Sequence, residues 1–330
     1  MKSFRTGLVV GKFAPLHLGH EHTIRTALQH CDHVVILSYS RPEFPGYGPS
    51  RRAEWLACRF PETTRIVLSH PSEPIPNNTE SDLTHRAFCA TVLQRKIDLP
   101  IDAIFSSEAY GLGFAENLAK RQGSPVAHIS VDQARTMVPI SGTALRADIH
   151  GLRHFMSPEV YASFIERVAF LGGESTGKST LAAALAEDFK TSHVSEYGRE
   201  LWDLKNGRLA FEDMLAIARE QVRREEAALL ENGTHRFLFC DTTPLTTLFY
   251  SREMFGRAAP ELTQLAGRSY HHLFLCDDDF PFSQDGTRRD SGFRAKGQDW
   301  YREQLRELPH QSLHGPLRSR MAQVRSWICD

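Results

Sequence analysis

Residues 172–180, Gly-Gly-Glu-Ser-Thr-Gly-Lys-Ser-Thr, combine glycines, hydroxyls and one lysine at a spacing that suits phosphate chemistry. The stretch fits the pattern G-x-x-x-x-G-K-[S/T], whose glycines let backbone N–H groups curl around phosphate oxygens. Lys178 would bring a positive charge to the β- and γ-phosphates, and Ser179 would offer a hydroxyl to Mg²⁺. The residues predicted to bind a nucleoside triphosphate are Gly172, Gly173, Glu174, Ser175, Thr176, Gly177, Lys178, Ser179 and Thr180.

The flanks of this stretch have the character that the pattern requires. An apolar run of strand type lies at 168–171, and a strongly helix-forming run follows at 181–186. The loop would therefore lie at a helix N-terminus, where the helix dipole favours anions. A plain Gly/Ser turn before an alanine-rich helix is the alternative.

His17 and His20 are a second group with chemical potential, at the start of a predicted helix. Two imidazoles three residues apart share one helix face, and Gly19 between them lets a ligand approach the backbone. Three interpretations are open: a metal site, for which no third ligand is evident nearby, capping or core histidines, or a pair of donors for nucleotide phosphates.

Single acids follow two predicted strands of the second half, Glu196 after 192–195 and Asp241 after 236–240. An apolar strand that ends in Asp is the usual arrangement for an acid near Mg²⁺, although a structural role is possible for both residues. Asp277, Asp278 and Asp279 follow a further predicted strand, and a solvated turn explains them as well as a role in the site does. Arg288 and Arg289, with Arg294 less favoured, suit a lid that closes over transferred phosphate.

Strand-like and helix-like runs alternate through the whole chain. Predicted strands lie at 6–10, 33–38, 66–68, 103–107 and 126–129, and then at 168–171, 192–195, 236–240 and 272–276. This alternation predicts an α/β fold with two doubly wound parallel-sheet domains. Ligands then bind beyond the carboxyl ends of the strands. We predict domains at 1–150 and 151–330, with the boundary within 147–167, where Gly151 and Pro158 interrupt the pattern.

Composition excludes several classes of protein. The chain has 330 residues, 41% hydrophobic and 24% charged, with a net charge of −1, which gives no electrostatic footprint for DNA or an anionic membrane. No apolar run approaches membrane-spanning length, and the N-terminus is not of signal-peptide type. The six cysteines are scattered, which suits reduced thiols. We expect a cytoplasmic protein without DNA or membrane partners.

Residues 11–20, Gly-Lys-Phe-Ala-Pro-Leu-His-Leu-Gly-His, and 140–146, Ile-Ser-Gly-Thr-Ala-Leu-Arg, resemble the paired signatures of the HxGH nucleotidyltransferase superfamily. The resemblance implies a Rossmann-like domain that transfers a nucleotidyl group when a substrate phosphate attacks the α-phosphorus of ATP or CTP. The implied catalytic residues are Lys12, His17, His20 and Arg146, and the implied phosphate-binding residues are Gly11, Phe13, Gly19, Ser141 and Thr143.

Residues 105–111, Phe-Ser-Ser-Glu-Ala-Tyr-Gly, resemble the nicotinamide mononucleotide adenylyltransferases of the bifunctional type. The resemblance implies that Ser107, Glu108 and Tyr110 form part of the nucleotide pocket. Trp55 is a candidate for stacking on a flat ring, and a core position on an amphipathic helix is at least as well supported.

The second half resembles P-loop small-molecule kinases of the thymidylate-kinase-like group, and more closely the ribosylnicotinamide kinase domain of NadR proteins. The matching residues lie at 172–179, 196–200, 241–242 and 285–288, and the resemblance to NadR covers nearly the whole chain. It implies a bifunctional, Mg²⁺-dependent enzyme of NAD salvage that uses ATP, nicotinamide riboside, nicotinamide mononucleotide (NMN) and NAD. Glu196 would act on the riboside hydroxyl as a base and Asp241 on Mg²⁺, with Asp241 as the alternative base.

NadR proteins of enteric bacteria carry an N-terminal helix-turn-helix segment, whereas this sequence starts directly at its first predicted strand. We therefore expect no DNA binding. Two other functions remain open: a nucleotidyltransferase and kinase acting on another phosphate ester and nucleoside, and a nucleotide-sensing regulator with little turnover. A homo-oligomer is possible in each case.

Overall fold

A computed structural model describes residues 2–231, 233–279, 281–282 and 290–329. The chain divides into two compact units, Met1–Ser163 and Phe164–Asp330. None of the described helices is long and apolar enough to cross a membrane.

Unit 1 is built on a five-stranded sheet in the order β3-β2-β1-β4-β5, and every pairing in it is parallel. Its elements are β1 (Phe4–Gly11), α1 (Leu18–His30), β2 (Cys31–Ser38), α2 (Pro49–Arg59), β3 (Thr64–Val67), α3 (Asp82–Lys96), β4 (Ala103–Ser106), α4 (Gly111–Gln122), β5 (Ala127–Ser130), α5 (Gly142–Ala147) and α6 (Pro158–Tyr161).

The centre of this sheet is buried on both faces. Leu8 of β1 and Val35 of β2 pack on one face, Val9 of β1 and Ile36 of β2 lie on the other, and all four are fully or almost fully excluded from solvent. Strands of parallel sheets have this near-continuous apolar character because helices cover both faces. The loops that follow β1 and β4 therefore meet at one edge of the sheet, together with the start of α5.

Unit 2 has a second all-parallel sheet, in the order β10-β9-β6-β8-β7. Its elements are β6 (Glu166–Leu171), α7 (Lys178–Phe189), β7 (His193–Val194), α8 (Tyr197–Leu204), α9 (Phe211–Leu229), β8 (Phe237–Cys240), α10 (Pro244–Phe255), α11 (Pro260–Ala266), β9 (His272–Cys276), α12 (Ser291–Leu305), β10 (Gln311–Leu313) and α13 (Leu317–Cys329).

Aromatic side chains fill the core of unit 2. Phe170 of β6 stacks between Phe239 of β8 and Phe274 of β9, with ring centroids 6.2 and 5.8 Å apart. All three side chains are fully buried. This packing aligns the carboxyl ends of β6, β8 and β9, from which the phosphate loop, Asp241 and Asp277 follow.

The predicted α/β class with two parallel sheets is confirmed. The elements that were not predicted are β10, α8, α10, α11, α12 and α13. The start of α10 has a recognisable signal, since Thr243 is its N-cap and Pro244 occupies its first position. The Tyr-Gly pair that opens α8 has low helix propensity, so the sequence does not indicate this helix.

Candidate functional site

A cleft of about 440 Å³ lies at the carboxyl edge of the sheet in unit 1. Both signature stretches and the segment after β4 contribute to its wall. The predicted residues that line it are Gly11, Lys12, Phe13, His20, Ser107, Glu108, Tyr110, Ser141, Thr143 and Arg146. The tertiary structure thus brings together residues that are more than a hundred positions apart.

Two cations of this cleft converge on one aromatic ring. The guanidinium carbon of Arg146 lies 4.0 Å from the centroid of Phe44, and Lys12 Nζ lies 5.9 Å from it. Arg146 donates to the carbonyl oxygen of Ala14 (2.6 Å) and to Thr143 Oγ1 (3.0 Å), which orients its planar group. Burial and, secondarily, the charge of Arg146 lower the pKa of Lys12. Concentrated positive charge of this kind favours a phosphate ligand.

The two histidines have different positions. Their rings stack with centroids 3.6 Å apart, but only His20 lines the cleft. His17 is 6% exposed, and its Nδ1 accepts a hydrogen bond from the backbone N–H of His20 (3.3 Å), so it caps α1. The capping interpretation therefore describes His17. No cluster of three or more metal-ligating side chains occurs among the residues that the structure describes.

Both imidazoles are held neutral. Burial, followed by the charge of Arg135, lowers the pKa of His17 from 6.5 to about 4. Burial and the neighbouring His17 lower the pKa of His20 well below its ordinary value. At pH 7 His20 therefore offers the cleft a neutral ring.

We predict that protonation of His17 destabilises unit 1. Its pKa is about 4 in the folded state against 6.5 in the unfolded chain, so the unfolded state takes up the proton first as pH falls. Stability is then lost between pH 6.5 and 4, by on the order of 3 kcal/mol from this group alone. Hydrogen exchange of the amides in α1, followed across this range, measures the loss.

The variant His17→Asn is the control, because asparagine keeps an N-cap oxygen and does not titrate. We expect its α1 amides to lose less protection on acidification than those of the wild type. Parallel pH profiles for the two proteins would contradict the prediction.

Trp55 does not line the cleft among the described residues. It is 4% exposed and its indole N–H donates to Ser163 Oγ (3.1 Å), so its environment is that of a core residue.

A fully buried arginine that sequence reasoning missed, Arg52, donates to the carbonyl oxygen of Lys12 (3.2 Å) and to Glu43 (2.8 Å). It positions the backbone of the first signature, and no local pattern distinguishes it from a surface arginine on α2.

In unit 2 the phosphate loop joins β6 to the N-terminus of α7, as predicted. Gly172 and Gly177 have φ values of 140° and 80°, which favour glycine. A Cβ on Gly172 would lie 2.6 Å from the carbonyl oxygen of Cys276, so only glycine fits there. Lys178 Nζ donates to the carbonyl oxygens of Gly172 (3.0 Å) and Gly173 (2.9 Å), which places its charge across the loop.

Two distant residues hold this loop in place, and sequence reasoning missed both. Arg320 of α13 is 2% exposed and donates to the carbonyl oxygens of Thr176 (2.7 Å) and Asp277 (2.8 Å). Gln298 of α12 accepts from the backbone N–H of Gly173 (3.0 Å). Their partners are backbone groups far away in the chain, so no sequence motif records them.

Two adjoining cavities lie beside the loop. The phosphate cavity, of about 170 Å³, is lined by residues 172–180. The second, which we call the nucleoside cavity, has about 220 Å³ and is enclosed by α8, α9 and α10. The residues that line both are Glu174, Glu196, Arg199, Thr246 and Tyr250. A ligand in the nucleoside cavity would therefore meet the phosphate loop beside Glu196.

Glu196 is a suitable base in this position. Burial and the neighbouring Asp241 raise its pKa, although Lys178 and Arg199 oppose the shift. Arg199 Nη2 lies 3.9 Å from Glu196 Oε2. A carboxylate with a raised pKa accepts a proton more readily than an ordinary one.

Asp241, directly after β8, has the chemistry of a magnesium ligand. It is 3% exposed, and its Oδ1 is buried without a hydrogen-bond partner among the described residues. A buried carboxylate oxygen needs a cation or a donor, and Mg²⁺ prefers oxygen ligands. Asp241 and the hydroxyl of Ser179 thus fit a Mg²⁺ ion that accompanies the phosphates.

Of the three arginines considered for the predicted lid, the structure describes Arg294. Arg288 and Arg289 lie outside the described residues. Arg294 belongs to α12 and is 5% exposed, and a Cβ on Gly173 would lie 2.6 Å from its carbonyl oxygen. Arg294 therefore packs against the phosphate loop as part of a helix.

The chain is similar to known proteins over most of its length. An AAA domain family model matches residues 167–318. The trifunctional NAD biosynthesis/regulator protein NadR of Salmonella typhimurium is 28% identical over 302 residues, which cover 86% of this chain and 71% of the relative. The NadR protein of Escherichia coli is 28% identical over 303 residues, with the same coverage.

Solved structures show the same fold. Crystal structures of a NadR protein in complex with NR, and of one in complex with NAD and AMP-PNP, each align with a TM-score of 0.69 at 18% identity. Each alignment covers 100% of this chain and 98% of the solved chain. The resemblance to NadR proteins that the motifs predicted is confirmed.

Proposed function

We propose that this chain, which is related to NadR proteins along both units, is a bifunctional enzyme of NAD salvage. Unit 2 phosphorylates nicotinamide riboside with ATP to give NMN. Unit 1 then joins NMN to the AMP portion of a second ATP, forming NAD and pyrophosphate. The observation that carries the proposal is the shared wall of the nucleoside and phosphate cavities, with Glu196 where the two meet.

The kinase reaction needs a base because its acceptor is a neutral 5′-hydroxyl. Glu196 takes the hydroxyl proton while the oxygen attacks the γ-phosphorus, and the bond to the β–γ bridging oxygen breaks to release ADP. Lys178 and the N–H groups of the phosphate loop neutralise the charge that develops on the phosphates. Mg²⁺, held by Ser179 and Asp241, would supply further charge neutralisation when bound.

The nucleoside cavity suits a flat ring. Trp202 of α8 and Tyr250 of α10 contribute aromatic faces, and Met214, Ile217 and Met254 contribute apolar surface. The aromatic face of Trp202, which lines this cavity and not the phosphate cavity, complements the cationic pyridinium ring of nicotinamide riboside. These features favour a pyridinium riboside over a neutral one.

The adenylyl transfer needs no base, because the phosphate of NMN is already ionised at pH 7. Its oxygen attacks the α-phosphorus of ATP and pyrophosphate leaves. Lys12 and Arg146 would neutralise the triphosphate, and the neutral ring of His20 would donate one hydrogen bond. Ser141, whose Oγ accepts from the backbone N–H of Ala144 (3.2 Å), fixes the start of α5 beside these groups.

Product analysis tests the whole proposal. The protein is incubated with ATP, Mg²⁺ and either nicotinamide riboside or NMN, and the products are separated by chromatography. We expect NMN and then NAD from the riboside, and NAD with pyrophosphate from NMN. Consumption of other ribosides or phosphate esters in place of these two would support the alternative enzyme, and tight binding without turnover would support the nucleotide-sensing regulator.

The remaining expectations stay predictions. They are a cytoplasmic location, a possible homo-oligomer, the absence of DNA binding, and the assignment of the two activities to residues 1–150 and 151–330. Gel filtration and a DNA-binding assay address the oligomer and the DNA expectation directly.

A further inference from the structure

Two residues that line the nucleoside cavity each carry a buried polar atom without a hydrogen-bond partner among the described residues. The atoms are Nε2 of Gln221, a residue that is 1% exposed, and Oγ1 of Thr242, a residue that is 4% exposed. Buried polar groups are almost always hydrogen-bonded, so two exceptions in residues that line one cavity point to a ligand that completes them.

The orientation of the Gln221 amide is determined by its other end. Gln221 Oε1 accepts a hydrogen bond from the backbone N–H of Tyr197 (3.0 Å). Because this bond identifies the oxygen, the remaining group is a donor, and its natural partner is an acceptor such as a carbonyl oxygen. Met214, Ile217 and Gln221 lie on one face of α9, so the donor sits at the end of an apolar strip.

We propose that Gln221 and Thr242 bind the carboxamide group of the nicotinamide ring and thereby select the base. The inference rests on the proposed riboside kinase activity and extends it to the residues that determine specificity. Gln221 Nε2 donates to the carboxamide oxygen. The Thr242 hydroxyl pairs with the carboxamide nitrogen, for which a hydroxyl can act as acceptor.

The ribose of the substrate is the other group that Gln221 and Thr242 could bind. The positions of the two residues in the cavities argue against this alternative. The ribose carries the reacting 5′-hydroxyl, so it must lie beside the residues that line both cavities, which include Glu174, Glu196 and Arg199. Gln221 and Thr242 line only the nucleoside cavity. They are therefore placed for the part of the ligand that is remote from the phosphate loop, which is the base.

The test compares two substrates in one enzyme preparation. One is nicotinamide riboside, and the other is N-ribosylpyridinium, which has the same charge and ribose but no carboxamide. We expect the wild type to prefer nicotinamide riboside by about 100-fold in kcat/KM, since a site built to hydrogen-bond a substrate group rejects the analogue that lacks it. The ratio does not depend on how much of the protein is folded.

Two variants remove the contacts separately. Thr242→Val deletes a hydroxyl that has no hydrogen-bond partner in the described part of the chain, and Gln221→Glu replaces the donor by an oxygen while keeping an acceptor for the N–H of Tyr197. Each should lower the preference about 10-fold or more. Thr263→Val, the same change as the first on the exposed side of α11, should keep the wild-type ratio.

Three outcomes would overturn the proposal. The first is a wild type that does not prefer nicotinamide riboside to N-ribosylpyridinium, and the second is a preference that is unchanged in both variants. The third is a pair of variants that keep this preference but no longer favour a ribose over a 2′-deoxyribose in the substrate. The last would assign the two residues to the sugar. Failure of the proposed function itself looks different, because a wild-type protein that phosphorylates neither pyridinium riboside would refute the kinase assignment.

Discussion

Replacing Lys178 with alanine is expected to lower kcat/KM for riboside phosphorylation by about 10³-fold, because the change removes the charge nearest the transferred phosphate. The lysine ammonium lies within 3.0 Å of two carbonyl oxygens of the loop, where it would meet the β- and γ-phosphates. Adenylylation of NMN should keep its wild-type rate, because the catalytic groups proposed for it lie in unit 1. Initial rates of ADP formation and of NAD formation, measured on the same protein, test both halves.

A matched control is Lys190→Ala, which removes an exposed lysine at the other end of α7. This variant should retain both activities. If Lys178→Ala lost NAD formation from NMN as well, the assignment of two independent sites would be wrong. If it lost neither activity, the phosphate loop would not be the kinase site.

Replacing His20 with alanine is expected to have the opposite effect. NAD formation from NMN should fall by about 10²- to 10³-fold, since the loss of one preorganised donor at a developing charge has this size. His20 is chosen over His17 because it contributes to the cleft wall, whereas His17 caps α1. Phosphorylation of nicotinamide riboside should be unaffected, so NMN should accumulate in a coupled reaction.

His22→Ala is the control for this change, because His22 is on the same helix but does not line the cleft among the described residues. Its NAD formation should match that of the wild type. Normal NAD synthesis by His20→Ala would remove His20 from the catalytic group, and a parallel loss in His22→Ala would indicate damage to α1 instead.

Site residues could be predicted from the sequence where the interactions that form the site lie within one short stretch of the chain. Residues 172–179 could be assigned to phosphate binding because the backbone conformation and the ligand contacts belong to one continuous stretch. Residues 11–20 and 140–146 were predicted through their resemblance to the paired signatures of the HxGH nucleotidyltransferase superfamily, and each signature is likewise one continuous stretch. Trp55 shows the limit, since an aromatic residue on an amphipathic helix fits a pocket and a core equally well from its spacing.

The residues that we propose bind the base could not be predicted in this way. Trp202, Gln221 and Tyr250 lie on three different helices and meet only after those helices pack. The backbone N–H of Tyr197 donates to one end of the Gln221 amide, and the other end is buried without a hydrogen-bond partner among the described residues. No periodicity or motif distinguishes it from the other polar residues of α9.

The sequence by itself predicted the two parallel sheets, the phosphate loop, the paired signatures of the first unit and the chemistry that we propose for these groups. Each depends on short-range backbone geometry or on side chains at fixed spacing. The tertiary structure alone decided which histidine faces the cleft, which acid lies where the two cavities meet, and that Arg52, Gln298 and Arg320 hold the loops from a distance. Those roles come from burial and from contacts between residues far apart in the chain, which exist only once the helices have packed on their sheets.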